Sequence, residues 1–150
     1  MVGGFDEFNL NSVSRKVGYT SGVFDLFHYG HAAYLRSCKE LCDVLIVGVD
    51  CDLRVRRNKG GSRPIHGEAT RLERVMSDPS VDYCFVKVED SLFYLNSIRP
   101  AYCFYSGESA LNRARNEKIS RLDGFVGFYS IPYTKAISTS KLISVMEDRA

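Results

Sequence analysis

Five apolar runs alternate along the chain with segments whose apolar residues recur at helical spacing. A near-continuous apolar run such as DVLIVGVD at Asp43–Asp50 is typical of a parallel strand that is buried on both faces. The runs predict strands over Val17–Ser21, Asp43–Asp50, Tyr83–Val88, Ala101–Tyr105 and Phe125–Ser130.

The segments between and after these runs predict helices. In the first of them, Tyr34, Cys38, Leu41 and Cys42 share one helix face. The last one begins with hydroxyl residues that suit a helix start. Strands that alternate with helices indicate an α/β fold with a parallel sheet. The predicted helices are Gly30–Cys42, Glu68–Met76, Ser91–Ile98, Ala110–Leu122 and Ser138–Asp148.

The chain is organised as a short leader followed by one domain. Residues 1–14 predict a flexible leader, and residues 15–150 predict a single domain without internal repeats. One loop stands out, Arg54–Gly67, which is basic, rich in glycine and contains Pro64. Loops of this length in a small domain are usually functional or mobile.

Composition narrows the class of protein. The chain has 150 residues, 45% of them hydrophobic, and a formal charge of +2 from 20 basic and 18 acidic residues. These are globular proportions, and the near-neutral charge argues against nucleic acid as the main partner. The sequence has neither an apolar run near the ~18–20 residues that span a bilayer nor a signal peptide at its start. We therefore expect a cytoplasmic protein with no membrane partner.

The five cysteines are odd in number and show no CxxC spacing. This pattern predicts reduced thiols that serve as small core residues, and it argues against a zinc site.

The strongest chemical signal is the segment GVFDLFHYGH at Gly22–His31. A strand ends here, a loop carries His28, and a helix begins with His31 in its first turn. The start of a helix presents unpaired N–H groups that attract anions. Two imidazoles on either side of Gly30, where a ligand can approach the backbone closely, can both face that anion. A lone histidine at a helix start is usually only a cap, but here the whole context indicates an anion site.

This segment resembles the HxGH signature of the nucleotidyltransferase superfamily that includes the cytidylyltransferases. Leu26 stands where the adenylyltransferases of coenzyme A and NAD synthesis usually have proline, as it does in cytidylyltransferases and heptose-phosphate adenylyltransferases. The resemblance covers about residues 16–145. It implies a single Rossmann-like domain whose five-stranded parallel sheet carries helices on both faces. It also implies that His28 and His31 are catalytic and that the nucleotide contacts Gly22, Val23, Phe24 and Gly30.

A second signal is AISTSKLI at Ala136–Ile143, where a loop turns into the last predicted helix. Hydroxyls at this position can cap the helix or hold phosphate oxygens. The segment resembles the GISTT element of the cytidylyltransferases. The resemblance implies that Ser138 and Thr139 bind the nucleotide, with Lys135 as a neighbouring cation where the family usually has an arginine shortly before the element.

A third signal is the basic stretch from Val55 to Arg71. It resembles the KGxxRPV…R arrangement of heptose-1-phosphate adenylyltransferases, with matching spacing. The resemblance implies a catalytic Lys59 and phosphate contacts from Arg63 and Arg71.

Four residues are candidates for binding the acceptor, namely Asp25, Asp52, Gly107 and the Lys135 named above. Asp25 either serves the acceptor or a histidine, or stabilises the turn, and Asp52 either helps to position a ligand or caps a helix. Gly107 lies in the segment Tyr105–Ser109, where the heptose enzymes carry KGGDY.

The resemblance implies transfer of a nucleotidyl group from a nucleoside triphosphate to a small phosphorylated acceptor, with release of pyrophosphate. An acceptor phosphate is largely ionised at pH 7, so the reaction requires no strong general base. We expect CTP by a small margin over ATP, and a polyol, sugar or amino-alcohol phosphate such as glycerol 3-phosphate as acceptor. The alternatives are an adenylyltransferase acting on a sugar 1-phosphate and a nucleotide-binding protein without activity. Mg²⁺ carried by the nucleotide phosphates and a homodimer are further expectations.

Overall fold

A computed structural model of the chain describes residues 15–106 and 113–132. The predicted leader 1–14 and the predicted helix Ser138–Asp148 lie outside the described residues. The strands are β1 (Val17–Gly22), β2 (Val44–Asp50), β3 (Tyr83–Lys87), β4 (Tyr102–Tyr105) and β5 (Gly127–Ser130). The helices are α1 (Tyr29–Glu40), α2 (Asp52–Lys59), α3 (Glu68–Met76), α4 (Ser91–Ile98) and α5 (Arg113–Ser120).

The five strands form one parallel sheet in the order β3-β2-β1-β4-β5. The predicted five-stranded parallel sheet is thus confirmed. The strand order reverses at β1, with β2 and β3 on one side of it and β4 and β5 on the other. In open α/β sheets the crevice beside such a reversal, at the carboxyl ends of the strands, is where ligands bind.

The sheet buries side chains on both of its faces. One face carries Val17 and Tyr19 of β1 in a cluster with residues of α4 and α5. The other carries Leu45 and Val47 of β2 in a cluster with residues of α1 and α3. Because successive side chains of a strand point to opposite faces, a strand covered by helices on both sides needs apolar residues at nearly every position. The prediction of helices on both faces is therefore confirmed.

The prediction of a continuous loop over Arg54–Gly67 is wrong in its first half. Helix α2 continues to Lys59 and ends at Gly60, whose φ of 96° lies in the left-handed region. The stretch contains no glycine or proline before Gly60, and Val55 alone is buried at 1% exposure. One buried residue gives almost no apolar periodicity, so this helix could not be predicted from the spacing of apolar residues.

All five cysteines lie in the described part of the chain and carry free thiols. Four are buried and Cys42 is half-buried, in agreement with their prediction as small core residues. Within residues 15–106 and 113–132, no helix combines the length and hydropathy needed to cross a bilayer.

Candidate active site

A pocket of about 570 Å³ opens at the carboxyl edge of the sheet, beside the reversal of strand order at β1. Its walls come from β1 and the turn after it, the carboxyl ends of β2, β3 and β4, strand β5, and helices α1, α2, α4 and α5. The predicted residues that line it are Gly22, Val23, Phe24, Asp25, His28, His31, Lys59 and Arg63. The pocket therefore brings together side chains from two of the three predicted motifs.

The turn that carries the histidines is tightly bent. Phe24 and Leu26 have φ values of 55° and 49°, a region that residues other than glycine seldom occupy. Such conformations persist where the surrounding structure enforces them, and they occur often at functional sites. Here the bend ends at His28, the N-cap residue of α1.

The two histidines form a reciprocal cap at the start of α1. Nδ1 of His28 accepts the N–H of Gly30 at 2.9 Å, and Nδ1 of His31 accepts the N–H of His28 at 3.2 Å. Burial lowers the pKa of His28. Burial, with a smaller effect from His28, lowers the pKa of His31 to about 4. Both rings are therefore neutral at pH 7, and since each Nδ1 accepts a hydrogen bond, each ring carries its proton on Nε2.

Nε2 of His28 lies in the pocket wall as an unused donor. The atom is buried and has no hydrogen-bond partner among residues 15–106 and 113–132. A buried N–H without an acceptor costs free energy. A ligand oxygen in the pocket would supply that acceptor.

Asp25 joins the histidine turn to the loop that follows α2. Its side chain is buried, and its carboxylate accepts the N–H groups of Leu26, Ile65 and His66 at 2.7 to 3.1 Å. Arg63 Nε lies 3.8 Å from the same carboxylate. Of the two interpretations of Asp25, the structure supports stabilisation of the turn, although the residue also lines the pocket.

The prediction that Arg71 contacts phosphate disagrees with its position. Its side chain is fully buried, and the guanidinium donates to the carbonyl oxygens of Val23, Asp50 and His66 at 2.7 to 2.9 Å. Nη2 also donates to Asp52 Oδ1 at 2.8 Å. Because three backbone carbonyls converge there, the arginine is held inside the protein and does not line the pocket in the described part of the chain.

Asp52 is likewise engaged in the framework. It begins α2, its N–H donates to Glu68 Oε1 at 2.9 Å, and its carboxylate is paired with Arg71. It is outside the described pocket lining, so of its two interpretations the structure does not support the one as a ligand contact. Gly30 is also outside that lining, and its N–H is bonded to His28, so it does not offer this amide to a ligand.

The described lining is strongly cationic. It contains five basic side chains and only two carboxylates. The basic residues are Arg54, Lys59, Arg63, Lys87 and Arg115, and the acidic ones are Asp25 and Asp50. The excess of positive charge favours a polyanionic ligand.

Three of these cations, Arg54, Lys87 and Arg115, are not among the site residues that the sequence predicts. Lys87 had a visible signal, because it interrupts the apolar run YCFVKV at a position where a strand buried on both faces should be apolar. The remaining predicted site residues, Gly107, Lys135, Ser138 and Thr139, lie outside the described residues.

Comparison with known proteins identifies relatives of the chain. A model of a family described as cytidylyltransferase-like matches residues 19–145. The bifunctional protein HldE of Campylobacter jejuni (strain RM1221) is 32% identical over 142 residues, which cover 93% of this chain and 30% of that protein. HldE of Helicobacter pylori (strain G27) is 40% identical over 104 residues, which cover 69% of this chain and 22% of that protein. The chain thus spans less than a third of the length of these curated relatives.

Solved structures share the fold. A lipopolysaccharide core biosynthesis protein from Thermoplasma volcanium superimposes with a TM-score of 0.71 at 28% identity, covering 81% of this chain and 99% of that one. A pantoate-β-alanine ligase from Francisella tularensis superimposes with a TM-score of 0.60 at 11% identity, covering 91% of this chain and 68% of that one. At that identity the second match shows a common fold alone.

Proposed function

Because this chain belongs to the cytidylyltransferase-like family of nucleotidyltransferases, we propose that it transfers the adenylyl group of ATP to a sugar 1-phosphate. An oxygen of the sugar phosphate attacks the α-phosphorus of ATP and forms a new phosphoanhydride bond. The bond from the α-phosphorus to the bridging oxygen breaks, and pyrophosphate leaves with the electron pair.

The observation that carries this proposal is the pair of neutral imidazoles at the start of α1, in a cationic pocket. His28 Nε2 is a buried donor without a partner in the described part of the chain. Negative charge moves toward the leaving pyrophosphate as the reaction proceeds, and fixed donors aimed at that charge stabilise the transition state. His28 and His31 would act in this way on the triphosphate.

Two cations of the pocket, Lys59 and Arg63, would supply the remaining neutralisation of the triphosphate. Lys59, at the end of α2, and Arg63, in the loop after it, reach the pocket from the segment that Asp25 holds against the histidine turn. Alignment of two anionic reactants is the main requirement, since the acceptor oxygen is already ionised at pH 7. Ser138 and Thr139 are proposed to hold the terminal phosphates, as the family resemblance implies.

Mg²⁺ is proposed as a cofactor carried by the nucleotide. Among the described residues, no three His, Cys, Asp or Glu side chains are grouped so that they could hold a metal ion. Asp25 is occupied by backbone N–H groups, and Asp50 lies beside the cations Lys87 and Arg54. This donor set fits an ion held by phosphate oxygens and water, which is a common form of Mg²⁺ binding. When bound, the ion would neutralise phosphate charge.

Two observations favour ATP and a sugar phosphate over the CTP that the sequence motifs favoured by a small margin. The relatives named HldE align with most of this chain. The segment from Lys59 to Arg71 has the spacing found in heptose-1-phosphate adenylyltransferases. CTP with glycerol 3-phosphate is the alternative that the experiment must separate.

The test is thermal unfolding with Mg²⁺ and each of ATP, CTP, GTP and UTP, followed by pyrophosphate release with heptose 1-phosphate or glycerol 3-phosphate. A nucleotide at 100 times its Kd should stabilise the fold by about 2.7 kcal/mol. We expect the largest shift with ATP, and pyrophosphate release only with the sugar phosphate. Preference for CTP and turnover of glycerol 3-phosphate would replace the proposal. A shift without turnover of any acceptor would instead favour the non-catalytic alternative.

A further inference from the structure

A second group of polar side chains lies in the pocket, on the face of the sheet that packs against α4 and α5. Ser21, Asp50 and Lys87 lie at the carboxyl ends of β1, β2 and β3. Each follows a member of that core cluster in its own strand (Tyr19, Ile46 and Phe85, respectively) by an even number of residues. Because side chains alternate along a strand, all three lie on this face. Ser91, the first residue of α4, completes the group.

The lysine at the centre of this group is buried but loosely held. Lys87 is 6% exposed, and its Nζ lies 3.2 Å from Asp50 Oδ1, 3.3 Å from Ser91 Oγ and 3.4 Å from Ser21 Oγ. Charged N–H···O hydrogen bonds usually measure about 2.7 to 2.9 Å. Each ammonium contact is therefore longer than an optimal bond.

Its partner Asp50 is also incompletely satisfied. Oδ1 of Asp50 is buried and makes no hydrogen bond within residues 15–106 and 113–132. Arg54 Nε lies 3.9 Å away, too far to donate to it. A buried ion pair is costly unless further hydrogen bonds satisfy both partners. This pair is therefore a poor means of stabilising the fold and has capacity for a ligand.

The neighbouring residues keep this space open. Tyr19 Oη bonds Ser91 Oγ at 2.9 Å and fixes that hydroxyl. A Cβ atom at Gly48 would stand 2.9 Å from Tyr19 Oη and 3.5 Å from Lys87 Cδ, so the glycine allows both side chains their present positions. The apolar side chains of Leu95 and Ile119 belong to the core cluster on the same face of the sheet, Phe128 packs against it, and all three also line the pocket.

We propose that the Asp50–Lys87 pair binds a hydroxyl group on the neutral, polyhydroxylated body of the acceptor and so selects sugar or polyol phosphates over amino-alcohol phosphates. This inference rests on the proposed function. A hydroxyl can donate to Asp50 and accept from Lys87 at the same time. A cationic headgroup would meet the Lys87 ammonium, and a second phosphate would meet the Asp50 carboxylate. The apolar part of the pocket lining suits the C–H face of a sugar ring.

The acceptor phosphate and the acceptor body would thus be recognised by different parts of one pocket. Its phosphate would face the histidines and cations beside α1 and α2, and its hydroxyls would face Asp50 and Lys87. Lys87 is accordingly a specificity-determining residue, and its loss should weaken binding of the acceptor but not of the nucleotide.

The experiment is calorimetric titration of mannose 1-phosphate, glucose 1-phosphate and phosphocholine into the full chain and into its Lys87→Met variant. We expect the wild type to bind at least one sugar phosphate more tightly than phosphocholine. The substitution should weaken sugar-phosphate binding ~10- to 100-fold, the loss of one or two charged hydrogen bonds. The thermal shift caused by ATP should remain. Lys118→Met, at an exposed site on α5, is the matched control.

If Lys87→Met unfolds because it leaves the Asp50 charge unpaired, the double variant Asp50→Asn/Lys87→Met, which removes both charges, replaces it in the titrations. Sugar-phosphate binding that is equal in wild type and variants would overturn the inference, as would tighter binding of phosphocholine or no binding of either sugar phosphate by the wild type. The proposed function fails separately, through absence of pyrophosphate release in the wild type. Binding that depends on Lys87 without such release would refute the transfer reaction and leave the hydroxyl site.

Discussion

The imidazole rings of His28 and His31 lie 4.1 Å apart, centroid to centroid. Nδ1 of each ring accepts a backbone N–H at the start of α1, from Gly30 to His28 and from His28 to His31. The same hydrogen bonds that cap α1 therefore fix which nitrogen carries the proton. The helix start orients the two Nε2–H donors before any ligand arrives, which is the arrangement that electrostatic catalysis requires.

The substitution His28→Asn separates the cap from the chemistry. Asparagine is among the best N-cap residues and can still accept the Gly30 N–H, but it lacks the Nε2 donor. We expect kcat/KM for pyrophosphate release to fall by about 100-fold or more while the Tm changes little. His28→Ala should lose the same activity and also about 1 kcal/mol of stability from the missing cap. Full activity in His28→Asn would remove this histidine from the mechanism.

The stability of the free protein should fall as the pH decreases from about 6.5 to 4. An unfolded histidine has a pKa near 6.5, whereas burial holds the pKa of His31 at about 4. Between these values the unfolded chain binds a proton that the folded chain does not, so acid favours unfolding. The free energy of unfolding should drop by ~3 kcal/mol for His31 over this range, as measured by urea denaturation at several pH values.

The variant His31→Asn is the control for this pH dependence. Its amide oxygen can still accept the His28 N–H, but the side chain does not titrate. The slope between pH 6.5 and 4 should therefore be smaller than in the wild type. An unchanged slope would show that other groups cause it.

Strand β2 could be predicted because it is buried on both faces, which imposes apolar residues over nearly its whole length. The apolar run Tyr83–Val88 also predicts a strand, and β3 occupies Tyr83–Lys87. The histidine turn was equally visible, since its residue types and spacing are local in the sequence. Features that depend on a continuous run of residues or on closely spaced residues can thus be predicted from the sequence.

The role of Arg71 could not be predicted in this way. An arginine near glycines and other cations is normally exposed or bound to phosphate. Its burial depends on the carbonyls of Val23, directly after β1, and Asp50, the last residue of β2. The Asp50–Lys87 pair was missed for a similar reason. Its residues are far apart in sequence, and only the parallel register places them side by side.

Arg71→Met should destabilise the protein rather than merely weaken nucleotide binding. The substitution leaves the carbonyls of Val23, Asp50 and His66 without their donor and Asp52 without its ion pair. Breaking a buried pair of this kind costs ~3–5 kcal/mol, which corresponds to a fall in Tm of roughly 10 °C. Arg74→Met, at an exposed position of the same helix, should change the Tm little. Equal stability of the two variants would contradict the structural role.

Lys59→Met should show the opposite behaviour. Lys59 is exposed and lines the pocket, so its loss should alter the free energy of unfolding by no more than ~0.5 kcal/mol. We expect kcat/KM to fall ~10- to 100-fold, because one donor to the reacting phosphates is lost. Arg57→Met removes an exposed cation of the same helix that is outside the described pocket lining, and its kinetics should match the wild type. Comparable losses in both variants would point to overall charge instead of a specific contact.

Asp25 accepts the N–H groups of Ile65 and His66, and Arg71 holds the carbonyls of Val23 and His66. The histidine turn and residues 63–71 therefore form one mechanical unit, although about 40 positions separate them along the chain. A designer who grafts the ten residues Gly22–His31 onto another α/β scaffold would transfer a buried carboxylate without two of its three backbone donors. The smallest portable version of this site is discontinuous and includes β1, the turn, the start of α1 and the stretch from Arg63 to Arg71.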